Sequence, residues 1–176
     1  YKQPFYLYIG LTHFHPPFRV HPDFVNKSGA GILADTVMEV DYNVGRILSA
    51  VESAGITEQT LVILTGDNAA GAFPTSGVAS GEVAGSNGPG RGGLSTAYEG
   101  GMRTPAMVRW NGRIKPGRVS DEIFADLDWY PTLAEIAEAQ SKIPSDRPID
   151  GISQAAFLLG DQTHSNREYV ITFVGQ

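Results

Sequence analysis

Thr60-Leu61-Val62-Ile63-Leu64-Thr65-Gly66-Asp67-Asn68 is a short, unbroken apolar run that stops on two oxygen-bearing side chains. Four apolar residues in succession, with no polar position between them, predict a strand covered on both faces, as in a parallel sheet. Its end sets a carboxylate beside a carboxamide, a pair of hard oxygen donors suited to Ca2+ or Mg2+. The same residue types also open turns and cap helices, so spacing alone leaves both uses of Asp67 and Asn68 open.

Upstream, Leu33, Val37, Val40, Val44, Ile47, Leu48 and Val51 recur at intervals of three and four, while Asp35, Glu39, Asp41 and Arg46 fall mostly on the other side. This is an amphipathic helix, ending at Gly55. Before it, Phe5 to Leu11 is aromatic and β-branched and reads as a buried, parallel-type strand, closed by the polar cluster Thr12 to His15. Pro16 and Pro17 cannot donate backbone hydrogen bonds, so His13 to Ser28 is expected to be an ordered loop leaving that strand's C-terminal end. Open α/β sheets place their chemistry there. Strand, loop, helix and strand then follow one another as a βαβ unit.

Downstream, residues 69–95 are almost entirely Gly, Ala, Ser, Pro and Asn, with Phe73 a possible anchor, and predict a long loop. Ala106 to Trp110 is a third strand candidate. Asp128 is placed to cap a helix with Pro131 in its first turn and Leu133 and Ile136 facing inward. A last strand is expected over Tyr169 to Val174. No repeat or heptad pattern interrupts this order, so a single α/β domain over 1–176 is expected.

Composition narrows the function. The 176 residues carry 19 acidic and 13 basic side chains, a formal charge of −6, which argues against a surface for nucleic acid or an anionic membrane, since either needs a basic stripe. There is no cysteine, hence no disulfide, no thiol nucleophile and no thiolate metal site. Tyr1 to Leu11 is too short for a membrane span and lacks the basic start of a signal peptide. A chain opening on Tyr1-Lys2-Gln3-Pro4 and entering a strand at once is expected to be cut from something longer.

Other motifs carry less. His13-Phe14-His15 puts two imidazoles at alternate positions, on one side of an extended backbone, which suits a metal or an anion. A histidine-based metal site would need more imidazoles, and His21 and His164 are all that remain. Gly88-Pro89-Gly90-Arg91-Gly92-Gly93 has neither the preceding strand nor the following Lys of a nucleotide-binding loop. Ser76 and Ser80 lack the context of a serine nucleophile. Asn26-Lys27-Ser28 matches a glycosylation acceptor that is common by chance.

Taken in order, the pieces resemble the type I sulfatases of the alkaline-phosphatase superfamily, in their middle-to-C-terminal portion. The likeness runs through Thr12-His13-Phe14-His15-Pro16-Pro17, the helix segment Ala34 to Asp41, Thr65-Gly66-Asp67-Asn68, Gly88 to Gly92 and Tyr98-Glu99-Gly100-Gly101-Met102-Arg103-Thr104-Pro105. It continues through Arg109 to Gly112, Asp128 to Leu133 and Arg147 to Gly151. The resemblance implies an α/β fold with a mixed, mostly parallel sheet between helices, and sulfate-ester hydrolysis assisted by Ca2+ or Mg2+. It implies that Asp67 and Asn68 are metal ligands and that His15, in the form His15-Pro16-Pro17, binds a sulfate oxygen and helps protonate the leaving alcohol. A formylglycine nucleophile, made in that family from a Cys- or Ser-x-Pro-x-Arg motif, is absent from these residues, as is an N-terminal aspartate pair. Leu94 stands where many sulfatases carry a lysine. Expected partners are a sulfate-ester substrate and either the missing N-terminal half or a second copy, and family analogy implies a periplasmic or secreted location. The alternatives are a non-catalytic, self-associating remnant and a phosphonate or phosphodiester hydrolase of the same superfamily.

Overall fold

The computed structural model describes residues 3–13, 15–71 and 85–173. Phe14, Phe73, Ser76, Ser80 and Val174 lie outside them. Helix α1 spans Ile32–Ser53, strand β1 Val62–Thr65, helix α2 Glu99–Met102, strand β2 Ala106–Arg109, helix α3 Trp129–Ile136 and helix α4 Ala155–Leu159. Strands β1 and β2 pair antiparallel in a two-stranded sheet. The mostly parallel sheet expected from the resemblance is not formed by the described residues.

The chain divides into two compact units, Tyr1–Gly55 with Thr65–Pro105, and Ile56–Leu64 with Ala106–Gln176. In the first, α1 begins after Gly31 (φ +93°) and closes where Gly55 adopts φ +68°, a left-handed value that stops a helix at little cost only for glycine. Leu33, Val44, Ile47, Leu48 and Val51 are half-buried and Val40 is buried, as the periodicity predicts, but Val37 is exposed.

The carboxylates of α1 depart further from expectation. Asp35 is 2 % exposed and Glu39 is half-buried, on the covered side rather than toward water. The N–H groups of Asn26 and Ser28 each donate to Asp35 at 2.8 Å. Ser28, through its side chain and its backbone N–H, with Asn26 and Lys27, holds the Asp35 carboxyl below its ordinary range against the opposing pull of burial. A carboxylate normally faces solvent; here it satisfies the backbone donors of an irregular loop that has no strand to pair with.

Phe5 to Leu11 and Tyr169 to Phe173 form no strand among the described residues, and both are exposed: Tyr6 is 77 % and Phe173 92 % accessible. Of the expected βαβ unit, the helix and the second strand form. A strand exists only when another backbone pairs with it, and no described segment does so here.

In the second unit, Asp128 lies immediately before α3 but makes no capping bond to it. Its carboxylate instead binds Arg167 and the N–H groups of Ala125 and Ile152. Pro131 and Thr132 are buried, and Leu133 and Ile136 half-buried. No described helix is long and apolar enough to cross a membrane.

Candidate functional site

His15, Asp67 and Asn68 all belong to the first unit. His15 sits in the loop between the extended N-terminal segment and α1. Its Nδ1 lies 2.6 Å from the Pro16 carbonyl oxygen, which can only accept, so Nδ1 carries the proton and Nε2 is the nitrogen left for other chemistry. Asp67 and Asn68 follow β1 directly and are both exposed. Asp67 accepts the Asn68 N–H through Oδ1 at 2.9 Å; Oδ2 and the Asn68 carboxamide make no hydrogen bond among the described residues. No hydrogen bond joins His15 to either of them.

The donor chemistry of Asp67 and Asn68 fits a hard divalent cation in kind, one anionic and one neutral oxygen. It falls short in number. Among the described residues, no group of three or more His, Cys, Asp or Glu side chains is placed to hold a metal ion.

Asn87 fixes the segment that follows the pair. Its Oδ1 accepts the Ala70 N–H at 2.9 Å, and its Nδ2 donates to the carbonyls of Ala70 (3.0 Å) and Gly92 (3.1 Å). The Leu94 N–H adds a bond to Ala70 O at 3.0 Å. One carboxamide thus ties the chain beyond Asp67-Asn68 to the glycine-rich run, doing for two loops what a ladder does for two strands. A lone asparagine in a Gly/Ser-rich stretch gives no sequence signal of this.

Glu39 plays the corresponding part for the histidine loop. Its Oε2 accepts the His21 N–H at 2.8 Å and lies 3.3 Å from Nε2 of His13, with side chains 13 % and 19 % exposed respectively. One carboxylate oxygen on α1 therefore holds both ends of the segment that carries His15. The His21 N–H, with His13 adding to it, keeps the Glu39 carboxyl below its usual range, although burial alone would raise it. Helical spacing alone puts Glu39 with the solvent-facing charges; the signal that points to it is an acid within reach of two histidines, which becomes legible once the loop folds back on the helix.

Glu39→Gln is expected to cost about 1–2 kcal/mol near neutral pH, since a charged acceptor is replaced by a neutral one. Because the folded-state pKa of Glu39 is depressed, its contribution is complete above the ordinary glutamate value of about 4.3 and is lost as pH falls through the lower folded value. Thermal melts of the two proteins should differ at pH 7 and converge in acid. A difference that persists unchanged in acid would show the charge to be irrelevant.

A cavity of about 220 Å³ adjoins this loop, lined by Thr12, His13, His15, Phe18, Arg19 and Thr36. His13 and His15 thus share one recess, as their alternate spacing predicts. His21 lies apart from it, 3.4 Å from Asp23, and His164 pairs with Glu122 in the second unit.

The glycine-rich run has a structural use. Gly90 and Gly100 pack backbone against backbone, and the Gly100 N–H donates to the Arg91 carbonyl at 2.8 Å. The Arg91 guanidinium carbon lies 3.8 Å from the centre of the Tyr98 ring, a cation–π contact.

The family model described as "Sulfatase" matches residues 2–139. The chain is 38 % identical over 171 residues to steryl-sulfatase of Rattus norvegicus, covering 97 % of the chain and 29 % of that protein. It is 39 % identical over 163 residues to N-acetylgalactosamine-6-sulfatase of Canis lupus familiaris, covering 92 % and 30 %. Among solved structures, the PsFucS1 sulfatase from Pseudoalteromonas sp. aligns with TM-score 0.74 and 33 % identity, over 87 % of the chain and 29 % of that one. A Bacteroides thetaiotaomicron protein described with the metabolism of multiple glycosaminoglycans aligns with TM-score 0.78 and 30 % identity, over 94 % and 34 %. The chain spans about 30 % of the length of the curated relatives it matches. These neighbours imply an α/β fold of the alkaline-phosphatase kind.

Proposed function

The chain belongs to the sulfatase family, and on that footing we propose that it supplies the leaving-group side and half of the metal shell of a sulfate-ester hydrolase. The observation that carries the reading is the uncommitted state of the three residues: Nδ1 of His15 is occupied by the Pro16 carbonyl, leaving Nε2, while Asp67 Oδ2 and the Asn68 carboxamide have no partner among the described residues. An alkoxide leaving group needs a proton donor, and protonated Nε2 of His15 is one. Asp67 and Asn68 would hold Ca2+ or Mg2+, adding Lewis-acid polarisation of a sulfate oxygen. No Cys- or Ser-x-Pro-x-Arg run occurs in the 176 residues, so the formylglycine nucleophile and the remaining metal ligands have to come from elsewhere, and the chain alone is inactive in this reading. The single domain expected over 1–176, the larger, mostly parallel sheet with β1 inside it and the periplasmic or secreted location belong to the same proposal.

Two experiments test it. Addition of an N-terminal sulfatase half carrying formylglycine should restore aryl sulfate hydrolysis, with sulfate esters preferred over phosphate esters; the reverse preference would favour the phosphodiester alternative. Calorimetric titration of the chain with Ca2+ should show weak binding, because only two protein oxygens are supplied, and Asp67→Ala should abolish it. Unchanged binding in that variant would remove Asp67 from the metal site.

The exposure of Phe5 to Leu11 and Tyr169 to Phe173 favours a second reading, a non-catalytic form that covers these segments with a second copy. Light scattering separates the two: a dimer that dissociates on addition of the N-terminal half supports the enzyme, and one that persists supports the self-associating form.

A further inference from the structure

We propose that Asn111 is a site of spontaneous deamidation, where the folded chain converts a carboxamide to aspartate or isoaspartate without an enzyme. The inference is independent of the hydrolase reading. The chain has two Asn-Gly pairs, Asn87-Gly88 and Asn111-Gly112, and a following glycine is what exposes an asparagine to this reaction. With no Cβ beside it, the glycine nitrogen reaches the asparagine side chain unhindered. In the step itself the Gly112 nitrogen gives up its proton to solvent base and bonds to Asn111 Cγ. The Cγ–Nδ2 bond breaks, ammonia leaves with a proton returned by solvent, and a five-membered succinimide remains. Water then opens the ring. Cleavage of the new N–Cγ bond yields aspartate, and cleavage at the Asn111 carbonyl carbon yields isoaspartate, with the main chain rerouted through Cγ.

The surroundings of the two pairs set them apart. Asn87 is half-buried, and its carboxamide is engaged at both ends by bonds to the Ala70 N–H and to the carbonyls of Ala70 and Gly92. The Gly88 N–H also donates to Ser86 Oγ at 3.2 Å, so the attacking nitrogen is held as well as the carbon it would attack. Asn111 differs on each count. It is exposed, in the turn that leaves β2, and neither its Nδ2, the leaving group, nor the Gly112 N–H makes a hydrogen bond among the described residues. A Cβ built on Gly112 meets nothing within 4 Å, so space for the approach is open. Arg109 Nε donates to Asn111 Oδ1 at 2.9 Å. A cationic donor on that oxygen stabilises the negative charge that gathers there as the nitrogen attacks.

The two products have different consequences. Aspartate keeps the main chain as it was and sets its new charge beside Arg109. Isoaspartate adds a methylene to the main chain inside a turn where the N–H groups of Arg113 and Ile114 both donate to the Trp110 carbonyl, at 3.1 and 2.9 Å. The same turn positions Trp110 Nε1 on the Glu58 carbonyl at 2.9 Å, so its register is lost where β2 ends.

The test is peptide mapping by mass spectrometry of the purified chain during incubation at mildly alkaline pH, in buffer and in guanidinium chloride. In buffer, Asn111 should accumulate aspartate and isoaspartate while Asn87 converts on the order of a hundredfold more slowly, since three hydrogen bonds must open before attack. In denaturant the two should convert at similar rates. Equal rates in buffer, or an Asn111 that converts only in denaturant, overturns the proposal. Isoaspartyl protein, identified by isoaspartyl methyltransferase labelling, should melt below fresh protein, and Asn111→Asp should melt with it. An isoaspartyl fraction as stable as fresh protein overturns the consequence drawn for the turn.

Discussion

Replacing Asp128 with asparagine is expected to destabilise the unit that contains it by about 3–5 kcal/mol. The carboxylate is 0 % exposed and accepts four hydrogen bonds: from Nε and Nη2 of Arg167 at 2.7 Å each, from the Ile152 N–H at 2.8 Å and from the Ala125 N–H at 3.0 Å. Four donors fill the four acceptor sites that a carboxylate has. Asparagine would turn an NH2 group toward one of those donors and leave the Arg167 charge, itself 10 % exposed, without a counter-charge. Burial pushes the Asp128 carboxyl up, but the bonds from Arg167, Ile152 and Ala125 outweigh it and hold the group below its ordinary range.

The sign for pH follows from that direction. The stabilisation is complete above the unfolded value of about 3.9 and is lost as pH falls through the lower folded value, so wild type and variant should converge only in strong acid. Denaturant titration at pH 7 measures the effect, and a loss below 1 kcal/mol would show that the pair is not buried in solution. The double variant Asp128→Leu, Arg167→Leu should lose less than Asp128→Asn, since apolar replacement removes both desolvation costs. Distance alone does not predict this. Asp146 and Arg147 also meet at 2.7 Å, but both are exposed, and breaking that pair should change little.

Gly100→Ala is the second large expected loss, about 1–3 kcal/mol or more. A Cβ at position 100 would lie 2.5, 2.7 and 2.8 Å from the carbonyl oxygens of Gly90, Gly92 and Arg91, closer than side-chain carbons approach oxygen. None of those atoms is the end of a flexible side chain, so the glycine-rich run would have to move as a whole. Through Asn87 that run is tied to Ala70, just past Asp67 and Asn68. The variant should therefore both melt earlier and bind Ca2+ more weakly than wild type. Gly45→Ala is the control: it lies inside α1 with nothing within 4 Å of a new Cβ, and should stabilise by about 0.5–1 kcal/mol. If the two substitutions cost the same, close packing is not why glycine occupies position 100.

Local pattern foretold the local elements. The spacing of Val40, Val44, Ile47 and Val51 yields α1, and Gly55 ends it because that backbone conformation suits glycine. The run before Asp67 yields β1, and Pro131 falls in the first turn of α3. Where a residue's role depends on what comes near it from far along the chain, the pattern misled. Asp35 and Glu39 have the spacing of solvent-facing acids, yet they satisfy loop donors 7 to 18 residues away. Asp128 occupies a capping position, yet its partner is Arg167, 39 residues on. Phe5 to Leu11 has strand composition, but composition supplies no second backbone to pair with.

By itself the sequence determined the family, through an ordered series of short motifs, together with the periodic helix and the chemical types available at His15, Asp67 and Asn68. Tertiary structure alone decided which groups are already engaged: the imidazole nitrogen occupied by Pro16 and the acid that holds the histidine loop. Such roles arise from hydrogen-bond partners and desolvation, which are set by approach in space, and no spacing along a chain encodes that approach directly.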